Sequence, residues 1–283
     1  MYSWRKDIAQ WVIEDKLYLS IVFTWDLPRA KDIAIASKKK VIAGGPAVKL
    51  MPEYLTGVAK VEESTIFPAL EMHNPMATFT SRGCDNSCDF CAVPRMEGKL
   101  RELKDWPIRP IICDNNLLGC SRKHFDKVID RLKALPFVDF NQGLEADLFT
   151  DHHAGRMAEL KQPMLRFAFD HVNEEAKVMD AIDRAQKAGL KNIGCYVLFN
   201  HRDTPDDTLY RLELLRSKGV LPNPMRYQPL DSLHKDNHIG KQWTELDIKR
   251  VQRYYSKLNF LGHVPFEDYN PQDEVKRAQG CLF

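Results

Sequence analysis

The chain has 283 residues, 44% of them hydrophobic, with 41 basic against 39 acidic side chains and a formal charge of +2. That is enough apolar material for one large domain or two small ones, and the near-balance of charge removes net electrostatics as a sign of a nucleic-acid or membrane partner. No apolar run approaches the about 20 residues that cross a bilayer, and the opening MYSWRKDIAQW lacks the apolar stretch of a signal peptide, so the expected location is the cytoplasm.

In chain order, LYLSIVF (17–23) reads as a strand, Asp26 and Pro28 open a helix through Lys38, and KVIAGGPA (40–47) is a strand with a tight turn. Residues 1–75 thus resemble half of a Rossmann-like domain. MATFTSRG (76–83) reads as a strand running into a loop, PIICDNN (110–116) as a second strand, and SRKHFDKVIDRLKALP (121–136) as a helix closed by Pro136. FVDFNQG (137–143) and MLRFAFD (164–170) are further strands, with a short helix from TDHHAGRMAELKQ between them. NEEAKVMDAIDRAQKAGL (173–190) is an amphipathic helix with Asn173 as its expected N-cap and Gly189 near its end. NIGCYVLFN (192–200) is a buried-type strand, and Thr204, Pro205 and Asp207 open a helix to 219. PMRYQPL (224–230) is a strand, and Thr244 with Asp247 opens a helix over 243–260. A polar tail follows Pro265.

From residue 76 this makes six βα units, which call for a parallel sheet covered by helices: a partial, open barrel or a doubly wound sheet. In either, chemistry belongs at the C-terminal ends of the strands. Lys38-Lys39-Lys40 and Arg122-Lys123 read as solvated helix ends.

Three of the seven cysteines, Cys84, Cys88 and Cys91, lie in GCDNSCDFC (83–91), directly after the first of these strands. In a reducing compartment clustered thiols point to metal or catalysis rather than to disulfides. A structural zinc site wants four ligands, usually as two separated pairs. A redox dithiol uses Cys88 and Cys91 and leaves Cys84 idle. Burial as core residues conflicts with the polar Asp85-Asn86-Ser87. A 4Fe–4S cluster held by three thiolates leaves one iron open for a substrate or cofactor.

Cys-x3-Cys-x2-Cys, with Phe90 before the third cysteine and βα repeats following, resembles the signature of the radical S-adenosylmethionine (SAM) superfamily. IICDNNLL, NQGLEADLFT, LRFAFD, YVLFNHRDTPDDTLYR and PMRYQPL look like successive barrel segments of its cobalamin-binding branch, and VFTWDLP and VIAGGPA look like pieces of that branch's N-terminal domain. The resemblance implies an α/β chain: a partial (β/α)6 radical SAM barrel at 76–262, a small N-terminal Rossmann-like fragment at 1–75 and a tail at 263–283. It further implies that Cys84, Cys88 and Cys91 bind the cluster and that its open iron chelates SAM. The outcome is a 5′-deoxyadenosyl radical that abstracts hydrogen from a small molecule or nucleotide. An external reductant such as flavodoxin or ferredoxin is implied as well. Modification of a nucleic-acid base is the second reading, and an iron–sulfur electron carrier with a fourth ligand at Cys113 or Cys120 the third. Cobalamin is not expected, because residues 1–75 are short and lack the Asp-x-His-x-x-Gly motif.

The resemblance also indicates where SAM contacts fall. Asp114, Asn115 and Asn116 end the second strand where relatives receive the SAM amino group; an Asx turn is the structural alternative. Gln142 and Glu145 suit ribose hydroxyls. Alternation places Arg166, Ala168 and Asp170 on one face of the fourth strand, opposite Leu165, Phe167 and Phe169. Arg166 there suits the SAM carboxylate, or pairs structurally with Glu145 or Asp170. Tyr196, Arg226, Tyr227 and Gln228 are candidates to face the substrate.

Overall fold

Ala9–Ile13 (β1) and Lys16–Ser20 (β2) form an antiparallel hairpin in register from Ala9↔Ser20 to Ile13↔Lys16. The chain then passes through Leu27–Ala36 (α1) into Lys40–Gly44 (β3), which lies parallel to β2 from Lys16↔Lys40 to Ser20↔Gly44. Gly45 has φ +99°, and a Cβ there would stand 2.6 Å from the Ile21 carbonyl oxygen. Only glycine turns the chain at that point, so that Pro46–Leu50 (α2) starts directly behind β3 and Ala47 N–H donates to Ile21 O (3.1 Å). Lys60–Val61 (β4) completes the order β1-β2-β3-β4. Leu19, Ile21, Leu27, Val41, Ala43 and Leu55 are buried between this sheet and its helices.

The computed structural model describes residues 8–62, 69–262 and 264–271; the chain before 8, residues 63–68, residue 263 and the tail from 272, with Cys281, lie outside the described residues. After Ala69–His73 (α3) come Ala77–Thr78 (β5) and Ser81–Arg82 (β6), then Val93–Met96 (α4), Arg101–Glu102 (β7), Ile111–Ile112 (β8), Arg122–Leu132 (α5) and Val138–Phe140 (β9). Asp151–Ala158 (α6) leads to Pro163–Ala168 (β10). The parallel ladder runs Ala77↔Ile111, Ile112↔Phe140 and Asp139↔Met164. The strand expected over 76–83 is interrupted at Phe79–Thr80, because the Thr80 N–H leaves the ladder for the Asp114 carboxylate (2.5 Å).

Glu175–Lys187 (α7), Asn192–Phe199 (β11), Pro205–Ser217 (α8), Leu221–Arg226 (β12), Glu245–Ser256 (α9) and Leu258–Leu261 (α10) follow. Helix α8 opens with the expected Thr204–Asp207 box and α9 with Thr244–Asp247. The expected Asn173 cap is not used. His171 Nδ1 instead accepts the Asn173 N–H (3.1 Å), and the Glu174 carboxylate accepts the His171 N–H (3.1 Å), making a 3-10 lead-in to α7. β12 starts three residues before the expected 224 and carries Pro222 and Pro224. Those residues pair in parallel with Cys195 and Val197, and the strand ends the sheet, where a missing N–H on the outer side costs nothing.

Packing divides the chain into two units, Met1–Gln142 with Gly155–Met164 and Gln228–Asn237, and Gly143–Ala154 with Leu165–Tyr227 and His238–Phe283. The boundary expected near residue 75 lies inside the first. The chain is a mixed α/β protein with parallel sheets, and its described strands do not close into a barrel. No helix of the described residues is long and apolar enough to cross a membrane.

In the second unit Leu165, Phe167 and Phe169 are buried while Arg166, Ala168 and Asp170 are half-buried, the alternation expected of this strand. Arg211, fully buried, donates to Phe169 O (2.6 Å) and to the Asp203 carboxylate (2.8 Å). Removing the guanidinium leaves a buried carboxylate and a buried carbonyl without their donor. Arg211→Ala is therefore expected to lower unfolding free energy by about 3–5 kcal/mol in urea melts.

Candidate metal centre

The cysteine loop hangs between two short strands. β6 and β7 pair antiparallel, Ser81↔Glu102 and Arg82↔Arg101, which closes the loop at its base. Gly83 has φ +78°, and a Cβ there would fall 2.2 Å from the Lys99 carbonyl oxygen, so only glycine lets the two arms approach. Cys84 N–H then donates to Gly98 O (3.1 Å).

A side-chain clamp locks this base. Glu97 accepts from Arg82 Nε (2.8 Å) and Nη2 (2.5 Å), from the Gly83 N–H (3.0 Å) and from Asn115 Nδ2 (2.9 Å). The pair is mostly withdrawn from water, at 19% and 9% side-chain exposure, so its forked geometry is held in a medium that strengthens it. Arg82 also lies over the Phe79 ring, 3.9 Å from its centroid.

The three side chains of Asp114-Asn115-Asn116 meet this loop at three points. Asp114, 4% exposed, accepts from Thr80 N–H (2.5 Å), from Thr80 Oγ1 and from Ser81 Oγ (2.8 Å) on the incoming arm. Burial is the main effect raising its carboxyl above the usual range, and the Thr80 and Ser81 bonds oppose it. Asn115 holds Glu97 on the outgoing arm. Asn116 Nδ2 donates to Cys84 Sγ (3.6 Å) while its Oδ1 accepts the Gly119 N–H (3.1 Å).

Cys84 and Cys91 are half-buried and Cys88 is exposed. Cys84 Sγ accepts a second bond from the Asn86 N–H (3.4 Å), and Cys91 N–H donates to Cys88 O (3.1 Å). Among the described residues no three His, Cys, Asp or Glu are gathered as a ready metal-ligand set. The donor chemistry fits an iron–sulfur cluster: three thiols on one loop, one of them facing N–H donors of the kind that tune cluster sulfurs. Cys113 is buried, and that burial, with Asp114 and Asp139 nearby, pushes its thiol up to about 12. Burial likewise raises Cys120 to about 11, with Ser81 opposing. Their sulfurs point to main-chain oxygens of Ile111 and Asn116, 3.9 Å each.

Phe90 is half-buried on the loop, and Gln142 is exposed at the end of its segment in the first unit. In the second unit Leu144 N–H donates to Arg166 O (2.6 Å) and Leu144 bridges Phe167, which brings Glu145 beside the strand that bears Arg166. Asp170 is held up to about 6, chiefly by burial and then by Glu174, with Arg211 opposing. Asp147, exposed, pairs with Lys177 (2.6 Å).

Sequence reading missed two features. One is Glu97, whose partner Arg82 stands 15 residues away with no periodicity linking them. The other is Asn200, fully buried at φ +66°, which clamps a distant loop through His238 O (3.1 Å) and the Gly240 N–H (2.7 Å). That loop brings His238 to Tyr227 (ring centroids 5.1 Å), which meets the His201 ring at a tilt (4.2 Å, 39° between planes), and Arg226 Nη2 reaches His238 O (2.8 Å). Gln228 bonds Asp236 in the first unit instead (3.0 Å).

No family model matches this chain, and no curated protein matches it. Among solved structures it is similar to the radical SAM methyltransferase TsrM from Kitasatospora setae, determined with cobalamin and a [4Fe-4S] cluster bound, at TM-score 0.56 and 11% identity over 78% of this chain and 66% of that one. SuiB of Streptococcus suis (TM-score 0.46, 11% identity, 67% and 46% coverage) and HydG, a maturase of the [FeFe]-hydrogenase (0.43, 17%, 61% and 46%), match more loosely. The chain spans just under two thirds of TsrM's length. At this identity the likeness to TsrM shows the fold: this chain has the fold of a radical SAM enzyme.

Two outcomes follow from the site. Glu97→Ala strands the Arg82 charge and frees the loop base, and is expected to cost about 2–3 kcal/mol in chemical denaturation. For Asp170, the unfolded carboxyl ionises near its usual value while the folded one keeps its proton to about pH 6, so stability falls as pH rises through that window. Asp170→Asn should therefore gain about 1–3 kcal/mol at pH 7.5 and lose that gain at pH 4, read from melts at both pH values.

Proposed function

We propose that this chain is a radical SAM enzyme in which Cys84, Cys88 and Cys91 hold a 4Fe–4S cluster, with SAM at the open iron. The observation that carries the reading is the Cys-x3-Cys-x2-Cys loop following the first parallel strand of a fold shared with a radical SAM methyltransferase. When bound, the cluster supplies the electron that cleaves the SAM sulfonium, and the resulting 5′-deoxyadenosyl radical takes hydrogen from an unreactive carbon.

The chain's own residues bind and orient. Cys84, Cys88 and Cys91 supply the thiolates, and the half-buried Phe90 precedes the third. With the Asp114 carboxylate enclosed by Thr80 and Ser81, the SAM amino group falls to the main-chain carbonyls of 114–116. Gln142 and Glu145 are assigned to the ribose, and Arg166, on the half-buried face of β10, to the carboxylate, with Asp170 two residues past the strand's end. An arginine fork matches a carboxylate in a way that lysine does not. We infer a (β/α)6 partial barrel, a small-molecule or nucleotide substrate, an external reductant such as flavodoxin or ferredoxin, and a cytoplasmic setting. TsrM binds cobalamin; for this chain we propose none, since residues 1–75 lack Asp-x-His-x-x-Gly.

An electron carrier needs a fourth ligand, and the two candidates for it, Cys113 and Cys120, turn their sulfurs to the main-chain oxygens of Ile111 and Asn116, which supports the three-cysteine reading. Anaerobic reconstitution should give about four irons and four sulfides per chain, and SAM should change the spectrum of the reduced cluster. Replacing Cys84, Cys88 or Cys91 with Ala should abolish deoxyadenosine formation with the fold kept; persistent formation overturns the reading. Arg166→Lys should weaken SAM binding about ten- to a hundredfold with little change in melting temperature. Hydroxocobalamin should keep its free spectrum when mixed with the protein.

A further inference from the structure

The sequence suggests that Asp114-Asn115-Asn116 faces the ligand, yet each of its side chains turns instead to the cysteine loop. Asp114 grips Thr80 and Ser81 before the first cysteine, Asn115 grips Glu97 after the third, and Asn116 donates to the sulfur of the first. Three consecutive residues, at the end of one strand, thereby touch the two arms of the loop and one of its thiols. The arms converge on one carboxylate, because Glu97 takes Arg82, Gly83 and Asn115 together.

We propose that Asn116 is a positioning and tuning residue for the metal centre: its Nδ2–H···Sγ bond to Cys84, aimed by the Asp114–Asn115–Glu97 clamp, sets the reduction potential of the cluster that this loop holds. The proposal rests on the cluster reading above. Its physical basis is that an N–H donor withdraws charge from a thiolate and so favours the reduced, more negative cluster; such bonds are among the levers that place cluster potentials. The geometry makes the donor dependable. Asn116 is buried, and its own Oδ1 is occupied by the Gly119 N–H, which orients the amide with nitrogen toward sulfur. The incoming arm cannot drift from it, since Thr80, Ser81 and Gly83 are each bonded to the clamp.

Two measurements test the clamp and the tuning separately. The first is amide hydrogen exchange on the protein as purified without iron, comparing wild type with Glu97→Gln. Exchange at Gly83 and Cys84 should speed up at least tenfold in the variant, while β11 and α8 stay unchanged. Equal rates at the loop overturn the clamp, whatever the fate of the cluster reading. The second is a redox titration of the reconstituted cluster in Asn116→Asp, which keeps the oxygen that caps Gly119 and loses the donor, and in Asn116→Leu, which loses both. Both variants should bind iron and sulfide as wild type does and show a more negative midpoint potential, with Asn116→Asp shifted further because it adds charge. An unchanged midpoint in both overturns the tuning. Should either variant fail to fold, the other decides. Failure of wild type itself to take up iron would instead sink the cluster reading, and the exchange result would still judge the clamp.

Discussion

Everything proposed for this protein depends on a loop of thiols being held still, and the Arg82–Glu97 pair does the holding. A loop of polar residues with two or more exposed positions has little apolar surface with which to order itself, so its order must come from its ends. Here the ends meet through a forked ion pair with a positive-φ glycine between them. The same carboxylate binds an amide from the next strand, so the loop base is tied into the parallel sheet rather than resting on it. Because both charges are largely withdrawn from water, loss of one partner leaves the other uncompensated and loosens the loop base.

The second unit follows a different logic. Its strands are ordered by apolar burial on one face, with Leu165, Phe167, Phe169, Val197 and Phe199 all buried, while residues of the alternate face are half-buried. Arg166 and Asp170 stand on that face. Two buried polar side chains of this unit are engaged individually: Arg211 with Asp203 and a carbonyl, Asn200 with two main-chain groups. Asn200 adopts a left-handed conformation that costs an ordinary residue about 1 kcal/mol or more, and the two bonds its amide makes offset that cost.

These two devices suit radical chemistry. An enzyme that generates a reactive carbon radical must place its metal centre and its organic ligands with little play, because misplacement wastes the radical on the protein. Within the first unit the clamp fixes the thiols; within the second, Arg166 lies on a half-buried polar strand face. Under the proposed function the cofactor would supply the difficult bond cleavage, leaving the protein orientation, exclusion of water and adjustment of potential.

What the sequence determined by itself was local. The Cys-x3-Cys-x2-Cys spacing, the alternation of 164–170, the capping boxes at Thr204 and Thr244 and the Gly-Gly-Pro turn after β3 all depend on residues within a few positions of each other, and local rules carry them. Even there, neighbours in space moved boundaries: Asp114 broke the strand at Thr80, His171 and Glu174 displaced Asn173 as the lead-in to α7, and an edge position allowed β12 to include two prolines. The roles of Asp114, Asn115, Asn116 and Glu97 were decided only by the tertiary structure. Nothing in composition or period tells a carboxylate at 97 that an arginine at 82 and an amide at 115 will converge on it. That convergence arises because parallel pairing sets the end of β8 beside the start of the cysteine loop, and hydrogen bonds among side chains so distant in the chain exist only once the sheet has brought their strands together.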